Sequence, residues 1–256
     1  MHGRGYQTRG LGIGPSVTPP IVKNLLIANG VMFLLQYVFP TLLTLGSVRP
    51  AYVWQGGYLW QPLTYMWFHA GLSHIAMNMF VLWMFGSPLA LAWGARRFLR
   101  FYLLCGVGAG VIIATYPYVA VYLLGIQSPA ALVIPTLGAS GAVYGVLLAY
   151  SLTWPERTIM LIFPPVAFRA IWLIPGLFLM TAIFNPSPNV SHIGHLGGVL
   201  VGWLYMRRSG HGGSVLTFGQ LRNRWRRYRM RQRLRAVRYE EYPRRNRDRD
   251  NDKTLH

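Results

Sequence analysis

Carboxylates are almost missing from the body of this 256-residue chain. Of its six acidic residues, Glu240, Glu241, Asp248, Asp250 and Asp252 lie near the C-terminus, and only Glu156 falls between Val31 and Met206. A single carboxylate excludes chemistry that needs an acid pair, and most hard-metal sites, which need several oxygen ligands. Charge of either sign is scarce in the same region, where Arg49, Arg96, Arg97, Arg100, Arg157 and Arg169 complete the set. A soluble domain carries roughly a quarter charged residues to keep its surface wet. This body is therefore expected in lipid. The one cysteine, Cys105, sits in an apolar run and excludes an intramolecular disulfide. The first twenty residues contain arginine, glycine and Pro19-Pro20 but no apolar core, so a cleavable signal peptide is not expected and the first membrane span would serve for export. An organellar targeting role for this acid-free start is the alternative. No repeat of roughly 20 to 50 residues is visible.

What the chain has instead is apolar runs of membrane-crossing length, about 20 residues each. Spans are expected at 21–45, 72–93, 98–118, 138–154, 170–184 and 191–206, the fifth short for a full crossing. The loop 46–68 carries Tyr52, Trp54, Tyr58, Trp60, Tyr65 and Trp67, rings that prefer the headgroup level. The stretch 155–169, punctuated by Glu156, Arg157, Pro164, Pro165 and Arg169, is expected to skim one membrane face, and 119–137 reads as a loop. Basic residues favour cytoplasmic loops. Arg4, Arg9 and Lys23 precede the first span, Arg96, Arg97 and Arg100 join the second and third, and Arg157 and Arg169 join the fourth and fifth. The alternate loops hold only Arg49. The expectation is an all-α membrane protein, a six-transmembrane-helix bundle with both termini cytoplasmic, built as an N-terminal segment 1–20, a helical body 21–206 and a tail 207–256.

The formal charge of +19 is concentrated in that tail, which holds fifteen arginines and Lys253. It is Gly-rich at first and strongly basic from Arg222 to Arg238, and it is expected to be partly disordered. A basic segment next to a membrane fits anionic lipid. Nucleic-acid binding is not expected, because no folded recognition motif accompanies the charge.

Two polar constellations lie within the apolar body. Gly138-Ala139-Ser140-Gly141 opens the fourth span, with Tyr144 one turn beyond Ser140. A hydroxyl is a weak nucleophile unless a positioned base takes its proton. Candidates for that base are His195 and its rival His192, in the run Ser191-His192-Ile193-Gly194-His195. Intramembrane histidines are costly and point to function. His74 and Asn78, at i and i+4, share a helix face, and either could donate to a developing oxyanion; the first-turn N–H of Ser140 would be a further donor. His69 reads as an interfacial loop residue. Without a carboxylate to orient the imidazole, serine and histidine would form a dyad, with Tyr144 packed on the ring. Glycines spaced by four, at Gly141 and Gly145 and at Gly194, Gly198 and Gly202, would let these helices approach closely, which is also their purely structural reading.

These residues resemble a known family. Gly138-Ala139-Ser140-Gly141 with Tyr144, the pattern His69-Xaa4-His74-Xaa3-Asn78, and His195-Leu196-Gly197-Gly198-Xaa3-Gly202 are similar to the signatures of rhomboid intramembrane serine proteases, in the family's order, over roughly 21–206. The glycines three and seven residues after the histidine select His195 over His192. The resemblance implies that Ser140 is the nucleophile, that His74 and Asn78 help form the oxyanion site, that Tyr144 stacks on His195, and that no cofactor or metal is used. It implies substrates that are transmembrane proteins with helix-weakening residues near the outer interface. The expected setting is a bacterial inner membrane with the site near its outer face. Family members that have lost the dyad hold membrane clients without cutting them, which is the alternative function. Where many relatives carry Trp-Arg in the first outer loop, this chain has Trp60-Gln61, and a charge that would anchor the loop is missing.

Overall fold

The structure is a computed structural model and describes residues 14–160, 166–184, 192–208 and 230. The chain divides into two compact units, Met1–Gly213 and Ser214–His256, of which the first carries the helical body. The basic stretch 222–238 lies outside the described residues except for Met230, as do the whole turn 185–191 and the Gly-rich stretch 209–213.

Helix α1 (Pro20–Val38) opens on a proline, which costs nothing in a first turn because the N–H it lacks would have no partner there. The expected first span continues to residue 45, but the helix stops at Val38. Pro40 disfavours helical backbone in the residue before it, and Phe39 sits at φ −125° and ψ 78°. A separate short helix, α2 (Thr41–Gly46), follows. The aromatic loop folds into α3 (Pro50–Trp54), α4 (Gln61–Thr64) and a 3₁₀ turn at Tyr65–Trp67. Its indole N–H groups tie it down: Trp54 Nε1 donates to the Ala114 carbonyl at 3.1 Å, and Trp60 Nε1 to the Leu45 carbonyl at 3.0 Å.

Helix α5 (Leu72–Val81) passes through a π turn at Leu82–Gly86 into α6 (Ser87–Trp93), giving one apolar rod of 22 residues over the expected second span. Helix α7 (Ala95–Tyr118) likewise runs on through a π turn to Leu123. The first residues of the stretch expected as a loop therefore extend the third span, to 29 residues in all. Pro117 lies just before that turn, where its missing N–H and its ring disturb the α-helical bonding pattern.

Helix α8 (Ser140–Thr153) is the centre of the body: every residue from Gly141 to Ser151 is buried. A helix apolar on all sides can only be satisfied by neighbours on all sides. Helices α7 and α10 (His192–Arg208) provide two of them, and α9 (Leu173–Phe184) a third. Between α8 and α9 the structure departs from an all-helical body. Strands β1 (Thr158–Met160) and β2 (Ala167–Arg169) pair antiparallel, with Thr158 opposite Arg169. The pairing lets the backbone groups of the two strands bond to each other. The exposed Glu156–Arg169 ion pair, 3.0 Å, lies beside it.

Helix occupies all six stretches expected to cross the membrane. Among the described residues, three are long and apolar enough to do so by length and composition: Pro20–Val38, Leu72–Trp93 and Ala95–Leu123. Helix α8 has 14 residues, a rise of about 21 Å at 1.5 Å per residue, against a hydrocarbon layer of about 30 Å. The molecule is a mostly helical membrane protein with several apolar helices.

Candidate active site

The contact of α8 with α10 sets the geometry. A β-carbon on Gly198 would fall on the Gly141 carbonyl oxygen and lie 2.7 Å from the Gly141 carbonyl carbon, so only a bare glycine lets the two backbones meet there. That approach brings ring to ring one turn further on. Tyr144 stacks on His195 with centroids 4.1 Å apart and planes 9° from parallel, and Phe178 of α9 packs against Tyr144 at 5.4 Å. His195 is 8% exposed. Its Nδ1 is buried without a hydrogen-bond partner among the described residues, so the ring is held by packing on Tyr144 and not by a carboxylate. His192 is edge-on to His195 at 6.4 Å and is not the ring on Tyr144.

Ser140 is the first residue of α8 and is half-buried. Its N–H belongs to the first turn, which leaves it without an intrahelical acceptor. Among the described residues no hydrogen bond joins Ser140 to His195; in enzymes without substrate such bonds are often long. The turn before Ser140 is built on Gly138, at φ +125°, whose N–H donates to the Tyr65 carbonyl at 3.0 Å. His74 lies against this turn: a β-carbon on Gly138 would be 2.9 Å from His74 Nε2. The Ala70 N–H donates to His74 Nδ1 at 3.3 Å, which leaves Nε2 as the protonated nitrogen of the neutral ring. Asn78 is buried, and one of its amide N–H groups donates to the His74 carbonyl at 2.9 Å. Only its other N–H is available to a ligand.

His69 has a supporting role that the sequence did not reveal. It is a loop residue, as expected, but fully buried within the protein. Gln36 of α1 grips its backbone from both sides: Gln36 Nε2 donates to the His69 carbonyl at 2.6 Å, and the His69 N–H donates to Gln36 Oε1 at 3.1 Å. The His69 ring in turn accepts, at Nε2, from the N–H of Ala139, the residue before Ser140, at 3.5 Å. Burial, with His74 close by, lowers the His69 pKa to about 4, so the ring is neutral. Gln36 is one of three amide side chains in this apolar helix, with Asn24 and Asn29, and nothing local in the sequence ties it to His69. Gln61 has a similar role in the aromatic loop. It is fully buried, its Oε1 accepts from the Arg49 N–H at 3.0 Å, and its Nε2 reaches the Leu45 carbonyl at 3.3 Å. A neutral amide bonded to backbone thus anchors the loop without the missing charge.

The fold and this cluster define a polytopic helical membrane protein in which a serine opens a buried central helix and a histidine is stacked one turn below it. Residues 56–209 match the Rhomboid domain family, and the chain belongs to it. It is 35% identical over 143 residues to "Rhomboid protein 1, mitochondrial" of Saccharomyces cerevisiae, a match covering 54% of this chain and 38% of that protein. It is 35% identical over 147 residues to human "Presenilin-associated rhomboid-like protein, mitochondrial", covering 54% and 35%. Human "Rhomboid-related protein 3" is 30% identical over 158 residues, covering 56% and 35%. The matched region is thus well under half the length of each relative. Two of these names carry a mitochondrial location, and none supports the bacterial membrane expected from the sequence.

Proposed function

We propose that this chain is an intramembrane serine protease that cleaves peptide bonds within or next to transmembrane segments of other proteins. The observation that carries the reading is the Tyr144–His195 stack one helical turn beyond Ser140, made possible by the Gly141–Gly198 contact. In this reaction Ser140 Oγ attacks the scissile carbonyl carbon while His195 takes its proton. The tetrahedral oxyanion accepts hydrogen bonds from His74 Nε2–H, the free N–H of Asn78 and the Ser140 backbone N–H. The C–N bond then breaks, and the leaving amine takes the proton from His195. Water, deprotonated by the same histidine, hydrolyses the acyl-enzyme on Ser140.

The body crosses the membrane six times with both termini cytoplasmic, which the distribution of basic residues supports. The site then lies near the face opposite Arg96, Arg97 and Arg100, and segment 1–20 and the tail 207–256 flank the proteolytic domain. The tail meets anionic lipid. Helix α9 is the lateral entrance for substrate. Trp172, Leu179 and Met180 are exposed along it and just before it, and Phe178 reaches Tyr144.

A fluorophosphonate probe on the full-length protein tests the reading. Wild type should be labelled and Ser140→Ala should not. His195→Ala should lose both labelling and cleavage of a reporter transmembrane substrate, while His192→Ala should keep much of each. Folded wild-type protein that takes no label and cuts no reporter would instead be a rhomboid-like binder of transmembrane clients.

A further inference from the structure

About 28 Å from His74 along the α5–α6 rod, by helical rise, α6, α7 and the end of α10 border an open recess of about 650 Å³. Trp93, Gly94, Ala95, Arg96, Arg97, Arg100 and Tyr205 line it. Three arginines therefore line one recess. The described residues contain a single carboxylate, Glu156, and it is paired with Arg169. No described acid neutralises the recess, and Arg97 keeps one buried guanidinium nitrogen without a hydrogen-bond partner.

The walls of the recess are built. Trp93 and Tyr205 both stand edge-on to Phe101, each with centroids 5.2 Å away, and Phe101 is fully buried. Arg97 lies over the Trp93 ring at 4.8 Å. One arginine is thus oriented by a ring that is itself fixed to the core, while Arg96 and Arg100 are exposed. Tyr205 adds a phenol, able to donate one hydrogen bond. Arg207 stands one turn of α10 from Trp203, its guanidinium 5.2 Å from that ring, and adds charge at the same helix end.

We propose that this recess binds a phosphate-bearing anion, the headgroup of an anionic phospholipid. Guanidinium groups match phosphate oxygens with paired N–H donors. The aromatic pair suits the boundary between headgroup and acyl chain. The recess also lies between helices, where a lipid has access from the side and its acyl chains can follow the exposed Leu91 and Leu204. Basic pockets between membrane helices are a recurrent form of anionic-lipid recognition. The proposal is independent of the proteolytic reading and of the arginine-rich tail.

Native mass spectrometry of the full-length protein, delipidated in neutral detergent and titrated with phosphatidylglycerol, phosphatidylcholine or inorganic phosphate, tests it. Wild type should retain phosphatidylglycerol over phosphatidylcholine. The variant Arg96→Gln/Arg100→Gln, altered only at exposed positions, should lose affinity about thirtyfold, from roughly fivefold per basic residue near a membrane surface. Arg97→Lys keeps the charge but not the fork and should weaken binding by less than the double variant. Arg224→Gln/Arg226→Gln/Arg227→Gln, in the tail, should retain the tightly bound lipid. Displacement of the lipid by millimolar phosphate in wild type alone would make free phosphate the ligand of the same site. Equal retention of phosphatidylglycerol by wild type and the Arg96/Arg100 variant, or its loss only in the tail variant, would overturn the proposal.

Discussion

Substituting alanine for Gly198 is expected to disable the site without touching any group that takes part in chemistry. The added carbon would fall on the carbonyl oxygen of Gly141, deep inside contact distance, and that oxygen belongs to helix backbone that cannot rotate away. Relief requires α10 to move from α8 by more than about 1 Å, given ordinary carbon–oxygen contacts of roughly 3.5 Å. Overpacking of this kind costs about 1–3 kcal/mol. The functional loss should be larger than the loss of stability, because His195 rides on α10 and Ser140 on α8. A misplacement of about 1 Å between reacting groups can cost on the order of a hundredfold in rate. Gly202→Ala is the internal control. Its β-carbon would meet Gly145 Cα at 3.3 Å, Phe101 at 3.4 Å and Cys105 Sγ at 3.5 Å, contacts that small shifts absorb. Initial rates of fluorophosphonate labelling and thermal unfolding in detergent, measured side by side, decide the matter. Gly198→Ala should be slowed about a hundredfold and Gly202→Ala far less. If the two variants behave alike, the helix contact does not set the distance between serine and histidine, and the reasoning fails.

Gln36→Leu should destabilise the protein by about 2–4 kcal/mol, since it strips partners from a buried N–H and a buried carbonyl at His69; thermal unfolding should show it, and labelling should fall as the turn before Ser140 loosens. Tyr144→Leu should preserve folding but reduce labelling by up to about a hundredfold, as the imidazole loses its stacking partner and its orientation. The neutral, buried His69 makes an acid-side prediction. Its folded pKa, about 4, lies below its ordinary value of 6.5, so the unfolded chain binds the proton first. Its contribution is complete above pH 6.5 and is lost as the pH falls towards 4. Unfolding temperature should drop between pH 7 and 5, and the drop should be smaller in a folded His69→Gln variant.

The helices were legible because hydrophobic run length is a strong signal, but their interruptions were not read from the sequence. Pro40 ends the first helix at Val38, short of the expected residue 45. The π turn beyond Pro117 was not legible, because apolar residues such as Val119 and Ala120 suit either a loop near lipid or more helix. The order of motifs pointed to Ser140, His195 and Tyr144, and the structure sets Tyr144 against His195 through glycines that the sequence could read equally well as simple packing. Distance in sequence hid the supports. Gln36 and His69 are 33 residues apart and His69 and Ala139 are 70 apart, and no local pattern links them.

Gln61 shows why loss of a charged residue need not mean loss of its function. An arginine in this loop could bond only acceptors, because guanidinium has no acceptor of its own. The Gln61 amide accepts from the Arg49 N–H and also donates towards the carbonyl of Leu45, so one neutral side chain joins the end of α2 to the start of α3 from inside a fully buried site. A neutral group avoids the desolvation cost that a guanidinium would bear there. Gln61→Arg should therefore lower the unfolding temperature despite restoring the more common family residue, and Gln61→Glu should lower it as well, by removing the donor and burying a charge. Unchanged stability in Gln61→Arg would mean that the loop has room and acceptors for the cation, and that the amide bonds are incidental.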